Sequence, residues 1–563
     1  MKRRSLLLLA AAGIPFFARA AEKKTETPLP PIAESVTVAI TNVEVVVTDS
    51  KGRRVPGLKQ EDFEVIEDGI PQRITNFYSV SGGRAILADG MQVALDDEEK
   101  APDVPSPLKV KYVLYIDQLN LETLHRTRVF RSIYPFIEKT IGPNAEAMVV
   151  TFNRSLKVRQ RFTTDRGAVA GTLQEIENES GMGNTITGER QDAIQRINDS
   201  KSQSEAVGIA RQTSQSLDAD LRLSIDALKT TIAGLAGIEG RKVLIYVSDG
   251  LPQMVGQELF DTIQRKYRTG AASIEGFSFD RTGSYAAIVQ AAHAEGVTID
   301  AIDAAGLAIT EGVAAEFGTN ENRGSGFASQ QNMQAPLKML ADETGGIAAV
   351  NTNAPDRELT EIARDFSDFY SLGYRSTRGS IDRPHRIDVK VNRPGLRARY
   401  PSGYQEKTVE TRTAEAVTAA LFYPRTENPM NFSLAVGKPK AYGTENYLVP
   451  IKIGIPLQNV MLVPDGNAYK GRLYIYFVVL DSSGQQSDLQ IRPLDIKVEL
   501  KSYDSAKKKD YGYDVQLVMI PGGQKLSVAI RDSVSNAVSF AQKSVFVSVL
   551  PEETGKKGEL GRN

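Results

Sequence analysis

The spacing of apolar residues divides the chain into regions of different secondary structure. Between residues 35 and 80, apolar and polar residues alternate, as in the run VTVAI, and this period of two predicts half-buried β-strands. Asp68-Gly69 separates two such runs and is a strong signal for a β-hairpin. We therefore expect a small N-terminal β module over 35–80, followed by a linker over 81–108 that contains three prolines and an acidic run.

A different pattern covers residues 109–375, where short, almost wholly apolar runs such as VKYVLYI and KVLIYV alternate with segments of helical periodicity. The apolar runs predict buried strands, and the segments 121–139, 165–177 and 214–235 predict helices. This alternation is typical of an α/β fold with a mostly parallel central sheet covered by helices on both faces. In such sheets ligands bind beyond the carboxyl ends of the strands, so functional side chains are expected there.

The period of two returns after residue 375. Residues 376–405 predict strands that we expect to pair with the module at 35–80, because each segment alone is a marginal sheet. Over 430–550, runs such as RLYIYFVVLD and KSVFVSVL are separated by turn signals and predict a C-terminal β-sandwich. The charged, Gly-rich stretch 551–563 is expected to be a disordered tail.

Residues 1–20 have the pattern of a secretory signal peptide: three basic residues, an apolar stretch and the A-x-A sequence ARA. A polar, Pro-containing linker is predicted over 21–34. We therefore expect export to the periplasm or secretion, and a retained N-terminal anchor is the alternative. No later apolar run approaches the ~20 residues that a membrane-spanning helix needs.

Composition removes several classes of function. The 563 residues include no cysteine and three histidines, His125, His293 and His385, which excludes disulfides and thiolate sites and leaves little room for a His-rich metal site or a Ser-His-Asp triad. Without the four basic residues of the predicted signal peptide, 64 basic residues face 69 acidic ones, a net charge of −5. A mildly acidic chain lacks the electrostatic character of a nucleic-acid binder.

Two predicted strand ends carry aspartate. One apolar run leads into Asp117 and another into Asp249, and a polar, Gly-rich segment between them, GMGNTITG, reads as a loop that contains Thr185 and Thr187. Two carboxylates and a hydroxyl at the top of a parallel sheet suit a hard divalent cation such as Mg²⁺, which takes one or two carboxylates and keeps several waters. The alternative is structural, because aspartate at such junctions caps helices and forms turns.

The chain resembles a known family at this point. A strand ending in Asp, a Gly-rich loop with Thr, and YVSDG resemble a von Willebrand factor A domain, and further segments resemble VWFA-related proteins of the acidobacterial type. Those segments are VTVAITNVEVVVTDSKGRRVPGLKQEDFEVIEDGIPQRITNF, VTIDAIDAAGL, LADETGGIAAVNTN and DFYSLGYRS. The resemblance covers about residues 35–405 and implies a Rossmann-like sheet with a metal-ion-dependent adhesion site at its top.

The resemblance assigns Asp117 to the first aspartate of that site, Thr185 (or Thr187) to its threonine and Asp249 to its last aspartate. The family motif is D-x-S-x-S, and here the serine positions hold Leu119 and Leu121. A degenerate site of Asp117, Thr185 and Asp249, binding Mg²⁺ weakly, is what the resemblance implies.

We therefore predict an exported, non-enzymatic protein that binds a protein or cell-surface ligand with the top face of a von Willebrand A-like domain. Three alternatives remain: a metal-free interaction domain, a structural component of an envelope assembly, and a hydrolase that uses Asp117 and Asp249 as its acid–base pair. No Gly-rich nucleotide loop with the required spacing supports a nucleotide cofactor.

Overall fold

The computed structural model describes residues 40–81, 84–86, 92–94, 109–236, 238, 240–268, 270–307, 320–365, 367–376, 382–443, 446–482 and 484–548. The predicted signal peptide, the linker at 21–34 and the tail at 551–563 lie outside these residues. The chain divides into two compact units, one within residues 36–408 and one within residues 409–563.

The first unit contains sixteen strands and nine α-helices among its described residues. The strands are β1 (Ile40–Thr48), β2 (Phe63–Glu67), β3 (Ile70–Gln72), β4 (Ile74–Ser81), β5 (Arg84–Ile86), β6 (Gln92–Ala94), β7 (Val110–Asp117), β8 (Ala145–Phe152), β9 (Leu156–Thr163), β10 (Arg241–Ser248), β11 (Val297–Asp303), β12 (Ala348–Ala349), β13 (Phe369–Arg375), β14 (Arg383–Val391), β15 (Arg397–Arg399) and β16 (Gly403–Glu406). The helices are α1 (Thr123–Thr140), α2 (Arg166–Glu177), α3 (Gly183–Asp199), α4 (Gln203–Gly234), α5 (Gln257–Tyr267), α6 (Ala271–Gly276), α7 (Thr282–Glu295), α8 (Asn320–Thr344) and α9 (Asp356–Arg364).

The central sheet of this unit has the order β12-β11-β10-β7-β8-β9. Its strands are parallel except β9, which runs antiparallel to β8. If the six strands are renumbered 1 to 6 in chain order and read from the β9 edge, the order is 3-2-1-4-5-6, as in doubly wound α/β folds. The strand order reverses between β7 and β10. The predicted mostly parallel sheet is therefore present, and in sheets of this order ligands bind beyond the carboxyl ends of the strands at the reversal, here β7 and β10.

Both faces of the central sheet are buried, which explains the near-continuous apolar runs. On one face, Tyr112, Leu114 and Ile116 of β7 pack in a core that includes apolar side chains of α1, α2 and α9. The alternate positions, such as Val113 and Tyr246, are also buried. Parallel strands covered on both faces show this pattern, so the continuous apolar runs are sufficient to predict these strands.

The N-terminal β module is completed by strands that follow the α/β region in sequence. β13 lies between β1 and β4 and pairs antiparallel with both, β15 pairs with β1, and β14 pairs with β2. The α/β region is thus inserted between two halves of one β structure. β13, which the sequence placed inside the 109–375 domain, is hydrogen-bonded to the strands of the β module.

The segment 81–108 is not wholly a linker. β5 pairs with β4, and β6 pairs with β5, so the sheet continues past residue 80. The linker prediction was wrong for these residues, because their short strands lack a long alternating pattern. Residues 82–83, 87–91 and 95–108 of that segment lie outside the described part of the chain.

The second unit includes a helix that the sequence did not predict, α10 (Val409–Ala419), and its described residues contain one further, short α-helix, α11 (Tyr503–Ala506). Its strands are β17 (Ser433–Val436), β18 (Lys440–Tyr442), β19 (Asn446–Pro456), β20 (Val463–Asp465), β21 (Ala468–Asp481), β22 (Gln490–Glu499), β23 (Asp510–Met519), β24 (Gly522–Asp532) and β25 (Val538–Val547). Two antiparallel sheets, one around β19 and one around β21, contribute side chains to one hydrophobic core. This two-sheet arrangement is the kind of β-rich unit that the alternating pattern predicted.

Within the described residues of both units, none of the helices combines the length and the apolar composition that crossing a membrane requires.

Candidate functional site

Three adjacent strands of the central sheet end in or next to aspartate. Asp117 is the last residue of β7, Asp249 follows β10, and Asp303 is the last residue of β11. We call the loops that follow these strands, residues 117–122, 249–256 and 303–307, the top face. Because parallel strands end at the same edge of the sheet, the three carboxylates belong to one region, and their contacts decide what each can bind.

The carboxylate of Asp117 is fully engaged within the protein. Its Oδ1 accepts hydrogen bonds from the backbone amides of Leu119 (3.2 Å) and Asn120 (3.3 Å). Its Oδ2 accepts from Asn120 Nδ2 (2.9 Å) and from the Tyr246 hydroxyl (2.6 Å). Burial raises the pKa of Asp117, and these four donors oppose the shift. Asp117 therefore shapes the turn after β7.

Thr185 does not lie in a loop. The predicted loop is wrong from Gly183 onward, because these residues begin α3. Thr185 is exposed in the first turn, whereas Thr187 donates a hydrogen bond to Glu122 Oε1 (2.7 Å). The threonine that reaches the top face is therefore Thr187, which the sequence left as the alternative.

Asp249 joins the loops after β7 and β10. Its backbone amide donates to the Asn120 carbonyl (2.7 Å), and its Oδ2 accepts from the Glu122 amide (2.7 Å) and lies 3.0 Å from His125 Nδ1. Its other carboxylate oxygen, Oδ1, is buried without a hydrogen-bond partner. Of the three strand-end aspartates, Asp249 is the one with an oxygen left for a ligand.

Glu122, His125 and Asp249 form a compact group of potential metal ligands. One nitrogen or oxygen from each lies within 4.8 Å of the others, and all three residues are partly exposed. Glu122 precedes the first residue of α1, and His125 lies one turn further on, so both face Asp249. The described part of the chain thus places two carboxylates and an imidazole at the sheet's reversal point.

The charges of this group are coupled. The hydrogen bond to Asp249 raises the pKa of His125, and the negative charges of Asp249 and Glu122 act in the same direction while burial opposes them. Burial raises the pKa of Asp249, and His125 opposes that shift. The interaction between Asp249 and His125 therefore favours the ionised form of each group, while burial opposes it in both.

The third strand-end aspartate, Asp303, is bound within the protein. Its Oδ1 accepts from the Ala305 amide (3.1 Å), and its Oδ2 accepts from Gln334 Nε2 (2.7 Å). Burial raises its pKa, and the charge of Asp249 adds to the effect. Asp303 adds negative potential near Asp249 without offering a free oxygen of its own.

The metal site that the family resemblance implies does not fit these residues. Leu119 and Leu121, at the two serine positions of the motif, are 0% exposed, and Leu121 packs in the core shared with α1 and α2. Asp117 has no unpaired oxygen. Any cation at the top face would therefore bind at Glu122, His125 and Asp249 and not at Asp117.

Several large apolar side chains in the segments that follow β7, β10 and β11 are exposed. Leu124, between Glu122 and His125, is 74% exposed, and Ile274, Phe277 and Leu307, which follow β10 and β11, are also exposed. Scattered exposed apolar residues are ordinary, and Leu124 is the one that lies next to a member of the group, His125, in the sequence.

The sequence held a signal for this group. Glu122 and His125 are spaced i, i+3 at a predicted helix start, which puts both side chains on one face. Neither Glu122 nor His125 is among the site residues predicted from the sequence. The contribution of Asp249 was not visible in this spacing, since it lies 127 residues from Glu122 and only the strand order brings it near.

Gly183 holds α3 against the top face, which gives a first testable prediction. A Cβ at this position would stand inside van der Waals distance of the Leu121 carbonyl group and the Glu122 amide. We expect Gly183→Ala to displace Glu122 and to destabilise the unit by about 1–3 kcal/mol, as overpacking does. Chemical denaturation measures the effect.

Gly188→Ala is the matched control, because a Cβ at Gly188 in the same helix meets no atom within 4 Å. There we expect stabilisation of about 0.5–1 kcal/mol from helix propensity. Equal effects of the two substitutions would contradict the close approach at Gly183.

Comparison with known proteins gives little beyond this geometry. The sequence matches no family model and no curated protein. An aerotolerance-related membrane protein from Bacteroides fragilis has 11% identity over 46% of this chain and 98% of that chain, with a TM-score of 0.23. BatB from Bacteroides thetaiotaomicron has 11% identity over 46% and 97%, with a TM-score of 0.21. The three N-terminal domains of the type V pili tip protein Mfa5 from Porphyromonas gingivalis have 9% identity over 90% and 76%, with a TM-score of 0.23. At these scores the similarities carry no argument about the function of this chain.

Proposed function

We propose that this chain is an exported, non-enzymatic binding protein whose α/β region has a von Willebrand A-like fold and whose top face binds a protein ligand through a divalent cation. The doubly wound strand order, the antiparallel edge strand β9 and the sequence segments that resemble VWFA-related proteins support the fold. The cation is the finer part of the proposal and rests on the side chains of the top face.

The single observation that carries the cation is the group Glu122, His125 and Asp249, with a buried Asp249 oxygen that lacks a partner. A cation would satisfy that oxygen and neutralise two carboxylates. An imidazole with two carboxylates favours Mn²⁺ or Zn²⁺, whereas the three oxygen ligands expected from the sequence favoured Mg²⁺. Thr187 supports the group by donating to Glu122 Oε1.

A protein ligand fits the surface better than a small molecule does. The group is partly exposed, and Leu124, which lies between Glu122 and His125 in the sequence, is 74% exposed. Three protein ligands leave coordination positions open, which an acidic side chain of a partner can fill while Leu124 packs against its apolar surface.

Calorimetric titration of the full chain with Mn²⁺ tests the cation, and this is the second prediction. We expect one Mn²⁺ at the top face in the wild type and a loss of at least about 100-fold in affinity in Asp249→Asn, because the variant removes the charge that the ion would neutralise. Asp226→Asn, which removes an exposed carboxylate of α4 in the same unit, is the control and should bind as the wild type does.

The partner is tested by co-purification from exported fractions with and without a chelator. Partners that are lost both with the chelator and in Asp249→Asn support the proposal. If the wild type gives no Mn²⁺ or Zn²⁺ binding, the cation is refuted, and a partner retained under those conditions would identify a metal-free interaction domain.

A further inference from the structure

We propose that the free side of β25 is a self-association surface, along which a second copy of this chain pairs antiparallel and joins its sheet to this one across a two-fold axis. β25 is hydrogen-bonded to β24 on one side, and within the described residues no strand pairs with it on the other. The backbone groups of such an edge bind an extended strand of another chain. The surface belongs to the second unit and does not depend on the function proposed for the top face.

The free side of β25 is covered at its start and open further on. The Phe540 amide donates to the Glu427 carbonyl (2.8 Å), so the backbone groups of Phe540 point away from β24. The register between the two strands continues without a bulge. Because the direction of these groups alternates along a strand, those of Gln542, Ser544 and Phe546 also point away from β24. Among the described residues, the backbone groups of these three have no hydrogen-bond partner on that side.

The two edges of this sheet differ in their protection against pairing. β22 pairs with β21 alone and is the opposite edge; it contains Pro493 and exposes charged side chains such as Asp495 and Lys497. Proline and charge are what keeps an edge strand from binding another chain. β25 has no proline and no bulge, Lys543 is its only charged residue, and Phe546 is 74% exposed. The edge that is left unprotected is therefore the one at β25.

The open stretch is complementary to itself. When Ser544 lies opposite Ser544 of a second copy, Gln542 lies opposite Phe546 and Lys543 lies opposite Val545, so that like charges do not face each other. A two-fold axis at Lys543 would place two ammonium groups directly opposite each other, which is destabilising. Charge therefore favours a second copy as the occupant and sets the axis at Ser544.

This register satisfies the open edge and limits the assembly to two copies. Each of the outward-facing residues, Gln542, Ser544 and Phe546, exchanges both of its backbone hydrogen bonds with the second copy. The exposed Phe546 ring of one copy lies across from Gln542 of the other, so pairing also removes apolar surface from water. A contact of this kind uses the same surface on both copies and closes on itself, and the protected edge at β22 does not extend it.

The third prediction is that Ser544→Cys traps the pair as a disulfide. The chain has no cysteine, so a disulfide formed by this variant joins two copies. The Cα atoms of a hydrogen-bonded antiparallel pair stand about 5.5 Å apart, inside the range of about 4.4–6.8 Å that a disulfide requires. Under mild oxidation of the full chain, we expect disulfide dimers to form at least about 10-fold faster in Ser544→Cys than in Ser502→Cys, measured on non-reducing gels.

Ser502 is the matched control because it is also an exposed serine of the second unit and follows β22, at the opposite edge of the sheet. Sedimentation of the unmodified chain at increasing concentration is the second measurement. Ser544→Lys is expected to lower dimer formation, because it places two ammonium groups on the axis, whereas Ser502→Lys should sediment as the wild type does. Circular dichroism shows that both variants fold.

The disulfide rates decide the question when the association is too weak to sediment as a dimer. Equal rates in Ser544→Cys and Ser502→Cys would overturn the proposal, whether the edge stays empty or is filled by another segment. A dimer that persists in Ser544→Lys would also overturn it, because the contact between copies would then lie elsewhere.

Discussion

Replacing Leu119 and Leu121 with serine, to match the D-x-S-x-S pattern that the sequence resembles, is expected to destabilise the α/β region severely and to create no magnesium site. Both leucines are fully buried, and Leu121 packs in the core between the sheet and α1. Truncating a buried leucine costs about 3–5 kcal/mol, and each serine adds a buried hydroxyl. Against a total stability of about 5–15 kcal/mol, the double variant has little native population left.

Thermal and urea denaturation of the two single variants and the double variant measure this fourth prediction, with magnesium titration of whatever remains folded. Leu124→Ser is the matched control, since Leu124 is in the same loop-to-helix segment and is 74% exposed, and it should change stability by less than about 0.5 kcal/mol. A double variant that keeps its Tm and gains Mg²⁺ affinity would show that the leucines merely replace ligands.

The burial of these leucines fits the way the turn after β7 is held. In this chain the turn after β7 is held by Asp117, which accepts four hydrogen bonds, and not by a metal. Once no cation is bound at Asp117, serine hydroxyls there would be buried without a charge to bind. Leucine instead stabilises this backbone by packing in the core.

The elements predicted correctly from the sequence are those whose signal is local. β7 and β10 are continuous apolar runs, and α1 and α2 begin and end within two residues of the predicted bounds. α3 was missed because its first turn contains glycine, asparagine and threonine, which are typical of loops. Gly183 is required by tertiary packing, because only a residue without a side chain fits beside the Leu121 carbonyl. Such a contact has no signal in the local sequence.

Strand pairing between distant parts of the chain could not be predicted from the sequence. β13 lies between β1 and β4, some 300 positions away in the sequence. The alternation within a strand predicts that it is a strand but does not specify its neighbours. The same holds for the candidate metal group at the top face. Glu122 and His125 have a helical spacing that the sequence shows, but Asp249 reaches them only through the topology.

Replacing Asp300 with asparagine is expected to stabilise the first unit at neutral and alkaline pH and to change it little in acid. Asp300 lies in β11, is 2% exposed, and accepts a hydrogen bond from the Ile347 amide at 2.7 Å. Burial, reinforced by the charge of Asp365, raises its pKa to about 7, although Arg399 and Arg241 oppose the shift. Asparagine keeps an oxygen for the Ile347 amide and carries no charge at any pH.

The sign of this fifth prediction follows from proton binding. Between pH 4 and pH 7 the unfolded chain has released the Asp300 proton and the native chain keeps it, so the native state loses stability as pH rises and the loss is complete above pH 7. The advantage of Asp300→Asn should grow over that range and reach the order of 1–4 kcal/mol at pH 8. Urea denaturation at pH 5 and pH 8 measures it, with Asp388→Asn, a half-exposed carboxylate of β14, as the control. An advantage of equal size at both pH values would mean that packing, and not the buried charge, distinguishes the two side chains.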